Sequence, residues 1–313
     1  MKKIFFIILV FYTPLLLQAQ YDAQFSNYWA AKNYYNPAAA GHSSQIDASA
    51  IYRQQWLGID GAPQSFLVTG DMPLTLLGRS HGVGFVFFNE SIGLFKRNIV
   101  SGQYAYKKKL FNGAFSAGIQ VGMISETFDG TKVFIPESDY HEQNDDAILT
   151  SEGTGSAIDA SIGLYYSREK WYAGLSVSHL LEPEVDLSDD SYVTPSRTFY
   201  LTGGYNIELD NPLLELQPSV FVKSTLQMNT VDVNARLCYN KMLWGGLGWR
   251  SNDAVIITLG AKFGKIQAGY AYDFPTSFVR KGSSGSHELF LKYSLDIVTG
   301  KGNKNKYKSV RIL

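Results

Sequence analysis

Few side chains in this 313-residue chain could carry chemistry, and they are scattered. The five histidines, His42, His81, His141, His179 and His287, share no metal-ligand spacing. Two of them stand beside serines, in His42-Ser43-Ser44 and Gly285-Ser286-His287, the composition of a serine hydrolase. Neither stretch has the glycine pattern of a nucleophile elbow or a third member to complete a triad. Gly82-Val83-Gly84 and Gly245-Gly246-Leu247-Gly248 lack the further glycine and the strand-to-helix setting of a dinucleotide site, and residues 260–265 lack phosphate-loop spacing. Small residues on strand faces explain these glycines better. Residues 125–156 hold eight acids (Glu126, Asp129, Glu137, Asp139, Glu142, Asp145, Asp146 and Glu152) and one lysine. Calcium is the sharper reading of that loop, but no alternation of acids followed by glycine supports it, and a solvated surface loop is the plainer one. The single cysteine, Cys238, excludes an internal disulfide framework and any multi-cysteine metal cluster. No enzyme, cofactor or metal site is expected.

The composition points elsewhere. With 28 basic and 28 acidic residues the chain has no bulk charge for binding nucleic acid. It carries 20 Tyr, 19 Phe and 29 Gly but only 18% charged residues, which favours β-structure with amphipathic surfaces. Lys2 and Lys3 precede an apolar run over residues 4–17, and Leu17-Gln18-Ala19 then offers a cleavage site. Residues 1–19 therefore read as a secretory signal peptide; a transmembrane anchor would need about 20 apolar residues. No run of 18 apolar residues follows, which leaves a soluble exported protein or an outer-membrane barrel.

Strand periodicity separates the two. Phe115, Ala117, Ile119, Val121 and Met123 alternate with Ser116, Gly118, Gln120 and Gly122. The same period of two runs through residues 158–166, 231–239, 255–263 and 266–272. Strands of nine or ten residues exceed the usual five or six. Their apolar stripes end in aromatics such as Phe115, Tyr166, Trp171, Trp249 and Tyr272, as in the interfacial girdles of a membrane barrel. The expectation is an all-β fold, a transmembrane antiparallel barrel over residues 46–296. About 14 strands (12–16) begin near residues 46, 64, 82, 97, 113, 157, 170, 198, 214, 230, 241, 254, 265 and 286.

Connection lengths alternate. Short turns fall at 107–112, 167–170 and around Asn240 and Gly264; long connections fall at 125–156, 180–197 and 273–285. In bacterial barrels the short turns face the periplasm. Both chain termini are expected on that side, with residues 20–45 forming a periplasmic or plug-like segment. Residues 297–313, basic through Lys301, Lys304, Lys306, Lys308 and Arg311, form a periplasmic tail. That tail is either a loose end or a contact for anionic headgroups or a partner.

The most specific pattern lies near the N-terminus. It comprises Gln24-Phe25-Ser26, then Tyr34-Tyr35-Asn36-Pro37-Ala38-Ala39-Ala40-Gly41, then "YRQQWLGIDGAPQSF" from position 52. Asn36-Pro37 and Asp60-Gly61-Ala62-Pro63 are turn formers, and Tyr52, Trp56 and Phe66 are interface-capable aromatics around a hairpin. Together with "GVGFVFFNESIGLF" from Gly82, these segments resemble the PorP/SprF family of type IX secretion outer-membrane proteins. Weaker echoes occur at 171–181 and 200–205; Ala23 stands where the family commonly has proline. The resemblance implies a barrel that works with other secretion components in the periplasm and outer membrane. Some members look like core parts of the machinery, others like accessories to one large surface protein, often an adhesin used in gliding.

Two functions are carried forward. The first is a non-enzymatic outer-membrane component that supports export or surface anchoring of a partner protein by docking. Its candidate contact residues are Asn36, Pro37, Arg53, Trp56, Gly58, Asp60, Gly61 and Pro63, with Trp56 as the hot spot. Arg53 and Trp56 could instead serve only to lock the first hairpin into the barrel. The second is a porin or solute channel lined by Gln120, Asp159, Asp232, Arg236 and Gln267.

Overall fold

The computed structural model describes residues 22–133, 151–189 and 191–297. Fourteen antiparallel strands close into a barrel: β1 (Gln45–Gln54), β2 (Gln64–Leu76), β3 (Arg79–Ile92), β4 (Phe95–Leu110), β5 (Gly113–Asp129), β6 (Glu152–Ser167), β7 (Trp171–Ser178), β8 (Thr198–Tyr205), β9 (Leu214–Ser224), β10 (Asn229–Tyr239), β11 (Leu243–Arg250), β12 (Ala254–Phe263), β13 (Ile266–Pro275) and β14 (Ser286–Asp296). Each strand pairs with its sequence neighbours, and β1 closes on β14 from Gln45 opposite Asp296 to Gln54 opposite His287. Closure removes every sheet edge, so the backbone groups of the wall pair with one another. Among the described residues no helix is long and apolar enough to cross a membrane.

The period of two sorts the side chains as it must in such a wall. Along β5, Ile119, Val121 and Met123 lie exposed on the outside while Ser116 is buried inside. Phe115, Tyr166 and Trp171 stand on the outer face near the short turns, and Trp249 and Tyr272 near the opposite end. A band of apolar side chains between two rows of aromatics suits a bilayer core.

All three long connections leave one end of the barrel, and β1 starts and β14 finishes at the other. The connection after β5 is shorter than its acid content suggests. Glu126 lies within β5 opposite Gly155, buried rather than solvated, because its carboxylate accepts a 2.5 Å bond from Arg97 Nε on β4. Glu137, Asp139, Glu142, Asp145 and Asp146 lie outside the described residues, as do the expected signal peptide and residues 298–313 of the basic tail. The connection from β7 to β8 carries a small hairpin, Val185–Ser188 against Ser191–Val193.

A closed wall of this size encloses space that must be filled or wetted. Residues 22–41 occupy it: all but Trp29, Lys32 and Tyr34 are buried. They form short helical turns at Tyr28–Ala30, Lys32–Tyr35 and Pro37–Ala39. Phe25, Tyr28 and Tyr35 pack with inward-facing Phe88, Tyr200, Phe221, Trp244 and Phe290 in one hydrophobic cluster. Wall glycines make room, Gly118 and Gly163 among them. A Cβ on Gly118 would stand 2.4 Å from Ala38 N, and one on Gly163 would stand 2.1 Å from Asn36 Oδ1.

A Gly118→Leu substitution is therefore expected to leave strand pairing intact and unseat the segment. Overpacking of this kind costs about 1–3 kcal/mol. Limited trypsinolysis of the inserted barrel should show faster cleavage after Lys32; a rate equal to the parent's would refute the packing argument.

Candidate functional site

The eight motif residues do not form one surface. Asn36 and Pro37 lie inside the barrel, where Asn36 Nδ2 donates to the carbonyls of Leu164 (2.9 Å) and Leu175 (3.2 Å) and Oδ1 accepts from Ala38 N (2.9 Å). That asparagine thus ties the segment to β6 and β7. Trp56, Gly58, Asp60, Gly61 and Pro63 lie in the β1–β2 hairpin at the long-loop end. Gly61 has φ +70° and its carbonyl accepts from Gly93 N at 2.8 Å, which joins the hairpin to the β3–β4 turn. A Cβ there would sit 3.1 Å from Gly93 Cα, so glycine is required on both counts. Leu57 N donates to Gly285 O (2.8 Å) and Ser284 N donates to Leu57 O (2.9 Å), which stitches the hairpin to the connection before β14. Pro63 is buried, and its carbonyl accepts from Gln55 N (2.9 Å).

Trp56 has φ +50°, an uncommon backbone for an aromatic residue. Its amide donates to Ser286 Oγ (3.1 Å). Its side chain lines a cleft of about 320 Å³ shared with Gln55, Asn229, Thr230, Asn252 and Asp253.

Arg53 turns the other way, into the barrel, and is 1% exposed. Nη2 donates to Asp273 Oδ2 (2.7 Å) and Nη1 to Glu288 Oε2 (3.2 Å) and Ser26 Oγ (3.0 Å). Arg250 reaches the same centre, donating from Nη1 to Asp273 (3.1 Å), from Nη2 to Ser26 Oγ (3.1 Å) and from Nε to both oxygens of Asp232 (3.0 and 3.1 Å). Ser26 Oγ donates to Asp273 (2.7 Å), while the amides of Ser26 and Asn27 donate to Glu288 (both 2.7 Å). The register builds this cluster: Arg53 opposes Glu288, Asp273 sits on β13 beside β14, and Asp232 opposes Arg250. On the far side Glu90 opposes Arg97, which opposes Glu126. A belt of paired charge thus lines the inside near the long-loop end.

The described chain begins within that belt. Asp22 Oδ1 lies 2.9 Å from His179 Nε2, and Asp159 Oδ2 lies 2.6 Å from His179 Nδ1. Tyr200 OH donates to Asp22, and Lys223 Nζ donates to the Asp22 carbonyl (2.8 Å). Asp22 therefore sits in the long-loop half of the interior, whereas the chain reaches the short-turn end only where Gly41 N donates to Asp71 Oδ1 (2.7 Å). Burial alone would lower the pKa of His179, but the two carboxylates outweigh it and hold the imidazolium up to about 9.

All five pore-lining candidates face inward, and four are engaged there. Gln120 accepts from Gln103 (2.6 Å), Asp159 meets His179, Asp232 holds Arg250, and Arg236 lies 3.5 Å over the Trp29 ring. Gln267 borders a cavity at the short-turn mouth. The Ser–His stretches form no dyad. Ser286 faces inward and accepts from Trp56 N, while His287 faces out and meets Tyr270 OH (2.6 Å). His42 Nδ1 lies 3.5 Å from Ser167 Oγ instead of a serine beside it. No group of three metal-ligating side chains occurs among the described residues.

Sequence reasoning missed the roles of Asp22, Ser26, Asn27, Glu90, Arg97, Arg250, Asp273 and Glu288. The available signal was charge on the inward stripe of strands otherwise poor in it, which in a closed barrel must find partners.

Removing Arg53 leaves two buried carboxylates undercompensated, a change that costs about 3–5 kcal/mol. Arg53→Ala is expected to lower the temperature at which the folded barrel unfolds in SDS gels. Arg53→Lys should recover only part of that, because an ammonium cannot fork between two acids. Equal melting of Arg53→Ala and parent would refute the cluster's role. Raising pH provides a second check. The His179 pair stabilises fully below the free imidazole value of 6.5 and fades as pH rises through about 9. Tryptic release of the segment should therefore quicken between pH 7 and 10, and His179→Gln should flatten that dependence.

A family model described as type IX secretion system membrane protein PorP/SprF matches residues 17–293. No curated protein sequence matches the chain. Among solved structures, a FadL homologue of Pseudomonas aeruginosa aligns over 85% of this chain and 94% of that one, at 12% identity and a TM-score of 0.50. The toluene transporter TodX of Pseudomonas putida aligns over 88% and 95%, at 9% identity and a TM-score of 0.50. At such identity the likeness is one of barrel fold alone, and with the family it supports an outer-membrane location. The chain belongs to the PorP/SprF family of type IX secretion system membrane proteins.

Proposed function

We propose that this protein is a non-enzymatic scaffold of the type IX secretion system that supports export or surface anchoring of a partner polypeptide. The observation that carries this reading is the filled interior. A barrel whose own residues 22–41 are seated by hydrogen bonds to buried wall carboxylates and by aromatic packing is built to hold shape. In the proposed orientation the long connections face outward, and the short turns and the chain's C-terminus face the periplasm, where other secretion components act. The Trp56 cleft is the docking point for exported cargo. Its indole borders polar side chains at the long-loop mouth, and neighbouring Leu57 and Ile59 are exposed on the same hairpin. Arg53, Asn36 and Pro37 act from inside by holding the hairpin and the segment in place. The lipid bilayer is the remaining partner, and nucleic acid is not one.

The rival reading is a solute channel, for which TodX, named as a toluene transporter, offers a precedent of fold. It requires a path past residues 22–41.

Deleting the gene and comparing surface and culture-fluid proteins by mass spectrometry tests the proposal. Loss of one or a few large proteins identifies a dedicated accessory, and loss of the whole secreted set identifies a core component. Intact secretion refutes the proposal, and conductance in planar bilayers would then establish the channel. Trp56→Ala in a barrel that still inserts should reduce cargo display several-fold; unchanged display removes the docking role from the cleft.

A further inference from the structure

The buried arginines of the interior are not all compensated alike. Near the long loops, Arg53, Arg97 and Arg250 each have a carboxylate within 4 Å. Towards the short turns, Arg236 has none among the described residues, although it is only 9% exposed. Its guanidinium lies 3.5 Å over the Trp29 ring, and Nη2 donates to Gln217 Oε1 (2.8 Å), but the buried Nε has no acceptor. A cavity of about 340 Å³ opens beside it at the short-turn mouth. Lys241, Lys262 and Trp244 also line that cavity, and the Trp244 indole N–H is likewise buried without an acceptor. The one acid in the lining, Glu215, is engaged by Gln217 Nε2 (2.6 Å). Three cations thus share the lining with one carboxylate, and two of the lining residues, Arg236 and Trp244, carry a buried N–H without an acceptor.

An aromatic face makes a buried guanidinium tolerable, but it supplies no lone pair to an N–H. Water could accept those hydrogen bonds, but it would leave the excess positive charge uncompensated. An oxyanion in the cavity compensates that charge, and a planar guanidinium suits carboxylate and phosphate oxygens in particular. The cavity has room for a small anion or the tip of a larger group. We propose that it is an anion-binding site for a carboxylate or phosphate group offered from the short-turn side. The site rests on its own residues; only the compartment it faces depends on the orientation proposed above.

Cys238, the chain's single cysteine, lines the same cavity and is partly exposed, so it reports on occupancy. In the intact barrel, a sulfonate-bearing methanethiosulfonate reagent should modify Cys238 about tenfold faster than a trimethylammonium one, after correction for free-thiol rates. The variant Lys241→Gln/Lys262→Gln changes two exposed side chains, should fold, and should abolish that preference. Inorganic phosphate or succinate should slow modification of the parent and not of the variant. Protection by phosphate alone assigns the site to phosphate groups, and protection by succinate alone assigns it to carboxylates. Absence of reagent preference, or of protection by either anion, overturns the proposal. Isothermal calorimetry with the same two anions decides the question if the thiol is slow to react: no heat of binding in the parent overturns it, and heat that the double variant lacks sustains it.

Discussion

Arg53 and Arg250 sit almost without solvent on either side of one serine hydroxyl, and much of the molecule depends on how that burial is compensated. A guanidinium taken out of water is costly unless acids and acceptors surround it. Here the acids come from the wall, Asp273 and Glu288 on the last two strands and Asp232 on β10, whereas the acceptor Ser26 comes from the segment inside. The Glu288 carboxylate in turn receives backbone amides from Ser26 and Asn27. Neither set is satisfied alone. Arg53 and Glu288 also oppose each other across the β1–β14 pairing that closes the barrel. Closing the wall and seating the interior segment are therefore coupled through one group of charges.

The remainder of the interior follows from that anchoring. Once Ser26 and Asn27 are held, Tyr28 stacks on Phe221 with 5.0 Å between ring centroids, and Trp29 meets Phe290 edge-on at 5.2 Å. Beyond them the chain approaches β5 and β6 closely enough that only Gly118 and Gly163 fit opposite residues 36–38. Large aromatic rings fill the space around residues 25–35, and missing side chains on the wall admit the backbone at residues 36–38. Glycine on the inner stripe and aromatics on residues 25–35 are two parts of one packing solution.

The wall was legible in the sequence because its constraint is periodic. A strand between lipid and interior must alternate, and β5, β10, β12 and β13 do so over nine residues or more, which makes their starts readable to within a few positions. Glu126 reads as a loop acid because a charge beside a long acidic connection looks solvated until its strand partner Arg97 is known. Residues 22–41 alternate in no regular way. Their turns are set by contacts from strands far away in sequence, such as Ser176 Oγ donating to the Tyr35 carbonyl (2.6 Å), which one-dimensional patterns do not register. Arg53 stands out in the sequence as a motif residue, but whether it faces a partner or the barrel's own interior depends on the closure register.

The same register bears on how the protein can work. A path along the axis would require residues 22–41 to leave, which means breaking the contacts of Ser26 and Asn27 with Glu288 and Asp273 and exposing the arginines that depend on them. Charge-assisted bonds in a dry site are each worth more than a neutral hydrogen bond, so they resist such a movement together. Each end nevertheless presents an opening. At one, a tryptophan in a left-handed turn borders an open cleft; at the other, cations stand around a cavity with donors to spare. An interior occupied in this way, by a segment bonded to the wall that closes the barrel, is the structural ground for preferring the proposed scaffold over the channel reading.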